Sequence, residues 1–271
     1  MVILVNTELL GIVKRESVFF HSIILMPTQD VISSYYVQLL KNIMGDEYIT
    51  PDRNHSALLI IDVQCDFTLI GAVAEIPGTL TSVSCIKRLV QGYRKVCLPI
   101  VHVIRLYSKD GSNVDLCRRK AIENGKQLVI PGSDGAELMD ELKPFPHIRL
   151  DSKLLLSGNL QQIGSMEWIM YKPRWGAFYN TKLERHLQNL DVNTVVVCGC
   201  NFPNCPRTTI YEASERDYRI VLATDATSVL YDRALQELKN IDVLVMNTDE
   251  CIAWLGAPSH SPSHSRIQDI Q

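Results

Sequence analysis

Long apolar runs are missing from this chain. None approaches the roughly 18 residues of a membrane span, and Glu8, Lys14, Arg15, Glu16 and His21 interrupt the apolar pieces before Met26. Neither a membrane segment nor a signal peptide is expected. A surplus of one charge is missing too: 27 Lys and Arg stand against 30 Asp and Glu, a net charge of −3. That balance gives no basic footprint for nucleic acid or an anionic membrane surface. There is no G-x-G-x-x-G, no Walker A loop and no Ser-centred elbow, so nucleotide binding and serine hydrolysis lack support. The eight cysteines (65, 85, 97, 117, 198, 200, 205 and 251) form no short secreted framework. Scattered along apolar segments, they suit reduced thiols and a cytoplasmic location.

What remains is an ordinary globular composition. Hydrophobic residues are 46% and charged residues 21% of 271, which excludes a fibrous or wholly disordered chain. Residues 1–53 read as an N-terminal extension with one packing helix, Val31–Met44, apolar at helical intervals and stopped by Gly45. Met26-Pro27-Thr28 resembles a translation start, so residues before it are expected to be peripheral or a start-codon misassignment. From Asn54 onward, apolar runs alternate with helical patterns. Strands are expected at Ala57–Ile61, Pro99–Ile104, Trp168–Lys172, Thr194–Gly199, Tyr218–Ala223 and Val243–Met246. Between them lie helices capped by Ser82 and by the Thr181…Glu184 box, then Pro206–Asp217 and Arg233–Asn240. This alternation predicts one α/β domain over 54–256, a three-layer sandwich around a six-stranded, mostly parallel sheet. Residues 107–165 are looser, with two short helices near Val114–Asn124 and Ala136–Leu142, and suggest a lid-like excursion. The Ser- and His-containing tail, 257–271, is expected to be disordered.

Ligands of such sheets bind beyond the carboxyl ends of the strands. Three ionisable groups fall there: Asp62, Lys172 and Cys205. Cys205 follows a tight turn, and Pro206 suits the first position of a helix, so the thiol should sit at a helix N-terminus. The helix dipole and Lys172 would lower its pKa, and Asp62 would accept its proton. Amides in the turn and at the helix start could hold an oxyanion. Two other arrangements stay open. His102 or His186 could pair with a cysteine, although each reads better as a structural histidine. Cys198, Cys200 and Cys205 approximate a C-x-C-x4-C zinc cluster that lacks a fourth ligand.

Three blocks carry a resemblance: Leu58–Phe67, Lys172–Phe178, and Gly199 through Cys205 to Thr209. In order and spacing they resemble the isochorismatase-like cysteine hydrolases, over about Ala57 to Thr248. The resemblance implies a strand order of 3-2-1-4-5-6 and a catalytic set of Cys205, Asp62 and Lys172. It also implies a non-proline cis peptide at Cys200–Asn201, with Asn201 and Cys205 donating the oxyanion hydrogen bonds. Gly176 and Pro206 depart from common family residues. Arg105–Asp110 has no histidine where nicotinamidase-type relatives bind a metal, so neither a metal nor any other cofactor is expected.

The implied activity is hydrolysis of a non-peptide C–N bond in a small amide, carbamoyl or ureido compound, through a thioester. Gln64, Phe67, Trp175 and Phe202 are candidates for the pocket wall. Arg105, Arg174 and Arg207 are candidates for a carboxylate clamp, the alternative being salt bridges to Asp66, Asp110 or Asp225. The partner is then a small-molecule substrate, with no nucleic acid or membrane, and a homo-oligomer (dimer or tetramer) is expected. A metal- or redox-active thiol protein, or a non-catalytic binding module on the same fold, are the competing expectations.

Overall fold

The computed structural model describes residues 46 and 48–256. The Val31–Met44 helix, the Met26 start and the 257–271 tail lie outside the described residues. One compact unit ends at Thr50 and a second begins at Pro51; the second contains all that follows. Its strands are β1 (Ser56–Ile61), β2 (Ile100–Ile104), β3 (Gln161–Gly164), β4 (Glu167–Tyr171), β5 (Thr194–Gly199), β6 (Arg219–Thr227) and β7 (Leu244–Met246). They form one sheet in the order β3-β4-β2-β1-β5-β6-β7. Without β3 this is the expected order 3-2-1-4-5-6. The seventh strand corrects the expected count of six: β3 runs antiparallel to β4 at the sheet edge, and the other neighbouring pairs are parallel.

Alternation along β1 explains why its run is apolar throughout. Leu58 and Ile60 point into the core cluster shared with Val83, Ile86, Leu89 and Val90 of one helix. Ala57, Leu59 and Ile61 point the other way, onto Leu183, Leu187, Ile210 and Leu238. Both faces are covered, so the run from Ala57 to Ile61 must be apolar. The helices are α1 (Cys65–Thr68), α2 (Thr79–Lys95), α3 (Leu116–Glu123), α4 (Ser152–Leu156), α5 (Leu183–Asn189), α6 (Cys205–Ser214), α7 (Asp232–Lys239) and α8 (Thr248–Gly256). Among the described residues no helix is long and apolar enough to cross a membrane.

Helix α2 starts earlier than expected. Its N-cap is Gly78 at φ 81°, and Ser82 lies inside the first turn with its hydroxyl donating to Gly78 O. A left-handed cap residue favours glycine over serine, which explains the shift. The second expected short helix, Ala136–Leu142, is instead two 3-10 turns, Asp134–Ala136 and Asp140–Leu142. The 107–165 excursion contributes α3, α4, β3 and these turns. It buries its own apolar cluster, including Leu106, Val114, Ile122, Leu138 and Leu155.

Candidate active site

Strand register brings the rim residues together. Ile61 pairs with Val103 of β2 and with Gly199 of β5, and Ile104 of β2 pairs with Tyr171 of β4. Asp62, Arg105 and Lys172, each the first residue past its strand, are therefore neighbours on the carboxyl edge. The chain leaves β1 toward β2 on one side and later returns to β5 on the other, so Asp62 stands at the switch in strand order. Its φ of 55° turns the chain sharply there. Across from it, Gly199 has φ 112°, and a Cβ at this position would overlap Ile61 backbone atoms. Close approach of β5 to β1 thus requires glycine.

Lys172 is fully buried. Its Nζ donates to Asp62 Oδ2 at 2.8 Å and to Arg174 O at 3.2 Å. The other carboxylate oxygen, Asp62 Oδ1, is buried and makes no conventional hydrogen bond. Cys205, at the first position of α6 and only 4% exposed, lies against this carboxylate in a looser contact that still counts electrostatically. The outcome for the thiol is opposite to the sequence expectation. Burial first, then the charge of Asp62, push the Cys205 thiol up to about 12, and the opposing pull of Lys172 and Arg105 is smaller. A helix N-terminus and a lysine are visible in sequence, but the depth at which the thiol is buried is not. The resting thiol is neutral, with a proton acceptor beside it.

The peptide between Cys200 and Asn201 is cis. In the turn that follows, the amides of Cys200 and Phe202 donate to Ile61 O and Ser228 O. Those of Asn201 and Cys205 donate to nothing among the described residues. One belongs to the turn before Cys205 and the other to Cys205 itself.

The remaining candidates divide. Gln64 is fully buried and spent: it donates to Arg105 O and Ala136 O at 2.8 and 2.6 Å and accepts from Arg105 N at 2.8 Å. It clips β1 to β2 and to the excursion instead of lining a pocket. Phe202 is likewise packing, buried with Cys205 in the core and edge-on to Tyr231. Arg207 points away, pairing with Glu237 at 2.9 Å and Tyr231 at 3.0 Å. Arg174 donates to the carbonyls of Asn113 and Pro173. None of the arginines pairs with the expected aspartates. Asp66 accepts from Val129 N, Asp110 from Ser112, and Asp225 from Thr248. Arg105 stays at the site, fully buried, with Nη2 donating to Asp115 Oδ2 at 2.6 Å. Trp175 stacks against it, with the guanidinium 5.4 Å from the ring centre.

Phe67 does line a cavity. It is about 220 Å³, bounded also by Ile76, Arg118, Lys126, Leu128 and Asn201. That is below the roughly 300–1,000 Å³ of pockets for drug-sized ligands, so the space suits a small molecule. Arg118 and Asp115 were not expected as site residues. Their signal is thin: an Asp and an Arg three apart, at the start of a polar helix shortly after Arg105.

The two histidines are structural. His102 is buried against Glu167 at 2.7 Å, and His186 packs edge-on to Trp168. Cys198, Cys200 and Cys205 form no metal-binding group among the described residues, although Cys200 lies near enough to Cys205 to act on it electrostatically. The first two thiols donate weakly to Leu59 O and Asp62 O. Among the described residues no group of three or more His, Cys, Asp or Glu could hold a metal ion.

An isochorismatase domain profile matches residues 56–250. A protein of Arabidopsis thaliana named a probable inactive nicotinamidase is 32% identical over 195 residues, 70% of this chain and 90% of its own length. The ureidoacrylate amidohydrolase RutB of Methylobacterium radiotolerans is 26% identical over 240 residues, 80% of this chain and 86% of its own. Among solved structures, an isochorismatase family protein from Desulfovibrio vulgaris superposes with a TM-score of 0.64 at 28% identity, covering 75% of this chain and 99% of its own. The matched span runs from β1 to α8 and encloses Asp62, Lys172 and Cys205. On sheet order, rim geometry and matched length together, the chain belongs to the isochorismatase-like hydrolase family.

Proposed function

We propose that the protein hydrolyses a non-peptide C–N bond in a small amide, carbamoyl or ureido compound, with Cys205 as nucleophile. One observation carries this reading: the Cys205 thiol, the Asp62 carboxylate and the Lys172 ammonium meet at one buried point, with Asp62 Oδ1 unspent. The likeness to RutB, an amidohydrolase, adds support. As Cys205 Sγ attacks the carbonyl carbon, its proton passes to Asp62. Because the resting thiol is neutral, attack and proton transfer belong to one step. The oxyanion is held by the amides of Asn201 and Cys205. The C–N bond then breaks, Asp62 returns the proton to the departing nitrogen, and a thioester remains on Cys205. Water attacks the thioester, again giving a proton to Asp62, and the acid leaves as the thiol is restored. Lys172 holds the carboxylate in place throughout.

A second reading, a non-catalytic module on the same fold, is favoured by the plant relative's name, which describes it as inactive. Ammonia release from a panel of small amides, carbamoyl and ureido compounds separates the two. Hydrolysis predicts turnover of at least one compound, a loss of at least about 10³-fold in Cys205→Ala, and an acyl adduct on Cys205 by mass spectrometry. Turnover that survives Cys205→Ala, or none for any compound, would favour the second reading.

A further inference from the structure

Asp62, Lys172 and Cys205 follow three different strands, and the sheet alone does not fix all three together. Strands β4 and β5 are separated by β2 and β1, a span of roughly 14 Å at the usual strand spacing. Cys205 is set further off by the turn between Gly199 and the start of α6. Strand register therefore sets Lys172 against Asp62, and another contact must set this pair against the thiol. Two side chains of α6 reach across. Thr209 Oγ1 accepts from Ala177 N at 3.1 Å and donates to Cys205 O at 2.8 Å. Three residues further along the helix, Glu212 Oε2 accepts from Phe178 N at 2.8 Å.

Thr209 is fully buried, where a hydroxyl is stable only when it is bonded. Its two bonds join the backbone of the Cys205 residue to the backbone of the loop that follows Lys172. Glu212 is half-buried and lies over Gly176, where a Cβ would overlap its carboxylate. The absence of a side chain at 176 thus leaves room for the contact with Phe178. Glu212 is also near enough to Lys172 to feel its charge. On its other side the same loop is held by the 107–165 excursion and the rim. Arg174 Nη1 donates to Asn113 O at 3.2 Å, and the guanidinium groups of Arg105 and Arg118 stack on Trp175 at 5.4 and 4.8 Å. At the base of the loop, Lys172 Nζ donates to Arg174 O.

We infer that Thr209 and Glu212 are positioning residues, which fasten the 172–178 loop to α6 and so hold the Lys172 ammonium, and with it Asp62, at a fixed distance from the Cys205 thiol. Thr209 bonds to the Cys205 carbonyl and not to the sulfur, and Glu212 bonds to the loop backbone, so both act through Lys172. Gly176 is part of the same device, because it admits the Glu212 carboxylate. The effect on turnover rests on the proposed hydrolysis; the link between the loop and the thiol does not.

The test compares Thr209→Val, which keeps the shape and loses both bonds, with Thr209→Ser, which keeps them. Turnover is followed on whichever compound of the amide, carbamoyl and ureido panel the unaltered full chain hydrolyses. In Thr209→Val kcat should fall about 10–100-fold with KM within a few-fold, and Thr209→Ser should recover most of the loss. Glu212→Gln should lower kcat less, and Gly176→Ala, whose methyl displaces the carboxylate, should act in the same direction. Iodoacetamide labelling of Cys205 at pH 9, measured against the exposed Cys97 and Cys117, needs no substrate. An ammonium that has drifted no longer favours the thiolate, so Thr209→Val should label Cys205 several-fold more slowly. A merely loosened core would expose the thiol and speed its labelling. If Thr209→Val does not fold, Glu212→Gln and Gly176→Ala decide by the same two readouts. Unchanged kcat, a loss confined to KM, or labelling that is unchanged or faster overturns the inference. Slower labelling in a protein that hydrolyses no compound upholds the link and sinks the hydrolase reading. Turnover that is lost in Cys205→Ala but unmoved in Thr209→Val and Glu212→Gln does the reverse.

Discussion

Strand β4 begins at one buried ionic cluster and ends at another. At its first residue, the Glu167 carboxylate accepts from Arg94 Nε and Nη2, both at 2.8 Å, and from His102 at 2.7 Å. Just past its last residue, Lys172 meets Asp62, with Arg105, Asp115 and Cys205 around them. The two clusters are similarly deep and lie on the same strands. They differ in what is left over. Both oxygens of Glu167 are used, and the one open atom there is His102 Nδ1. At the rim, Asp62 Oδ1, Asp115 Oδ1, and Arg105 Nε and Nη1 are all open. A closed network holds β2, β4 and α2 together and has no capacity for a ligand. An open one retains hydrogen-bonding capacity that a substrate can take up. Buried charge alone therefore does not mark a site; unspent buried charge does.

The comparison breaks if the two ends respond alike to loss of a carboxylate. Asp62→Asn should cut turnover per folded molecule by about 10²–10⁴-fold, the usual range for a lost general base. Ammonia release normalised to the folded fraction measures it, and turnover within a few-fold of the unaltered protein would remove Asp62 as the base. Glu167→Gln should act on stability instead. Removing one partner of a buried ionic cluster costs about 3–5 kcal/mol, while turnover per folded molecule should hold within a few-fold.

Acid should expose the same difference. Burial works to raise the pKa of Glu167, but the hydrogen bonds from His102 and Arg94 outweigh it, so the carboxyl lies below its ordinary value. A carboxylate held lower in the folded chain than in the unfolded one stabilises the fold above the ordinary glutamate range. That contribution is lost as pH falls through the folded value. Denaturant midpoints should thus decline on acidification, and the decline should be shallower in Glu167→Gln. An unchanged slope would mean that Glu167 is not a linked group.

What sequence could show follows from which forces are local. Central strands β1, β2, β4 and β5 were legible because burial on both faces demands unbroken apolar runs, and the first residue after each is where polarity can return. Asp62 and Lys172 stand out for that reason, and Cys205 for the turn and Pro206-marked helix start that follow β5. Strand β3, Gln161–Gly164, was not legible: it is a polar edge strand with one buried residue, held by hydrogen bonds to β4 and not by an apolar pattern. Arg118 was missed because its place beside Trp175 depends on how the 107–165 excursion folds back over the rim. Gln64 looked like a pocket residue because it follows Asp62 closely, whereas its three hydrogen bonds are all to backbone brought from afar. Local pattern gave the frame, and distant packing decided which rim residues stay free.

Cysteine chemistry sharpens the contrast at the smallest scale. The sequence places Cys205 at a helix start near Lys172, which suggests a thiolate quick to react at neutral pH. Its burial and the adjacent Asp62 charge act the other way and raise the thiol to about 12. At pH 7 the neutral thiol then predominates. Cys97 and Cys117 are exposed, so iodoacetamide should modify them before Cys205, as followed by peptide mass spectrometry. Labelling of Cys205 should rise about tenfold per pH unit through pH 8–10 without levelling, since only the thiolate reacts. Asp62→Asn removes the neighbouring negative charge, which lowers the thiol pKa and should speed Cys205 labelling at pH 9 even as turnover collapses. Rapid labelling of Cys205 with a plateau near neutrality would restore the preformed thiolate and remove the need for Asp62 to take its proton.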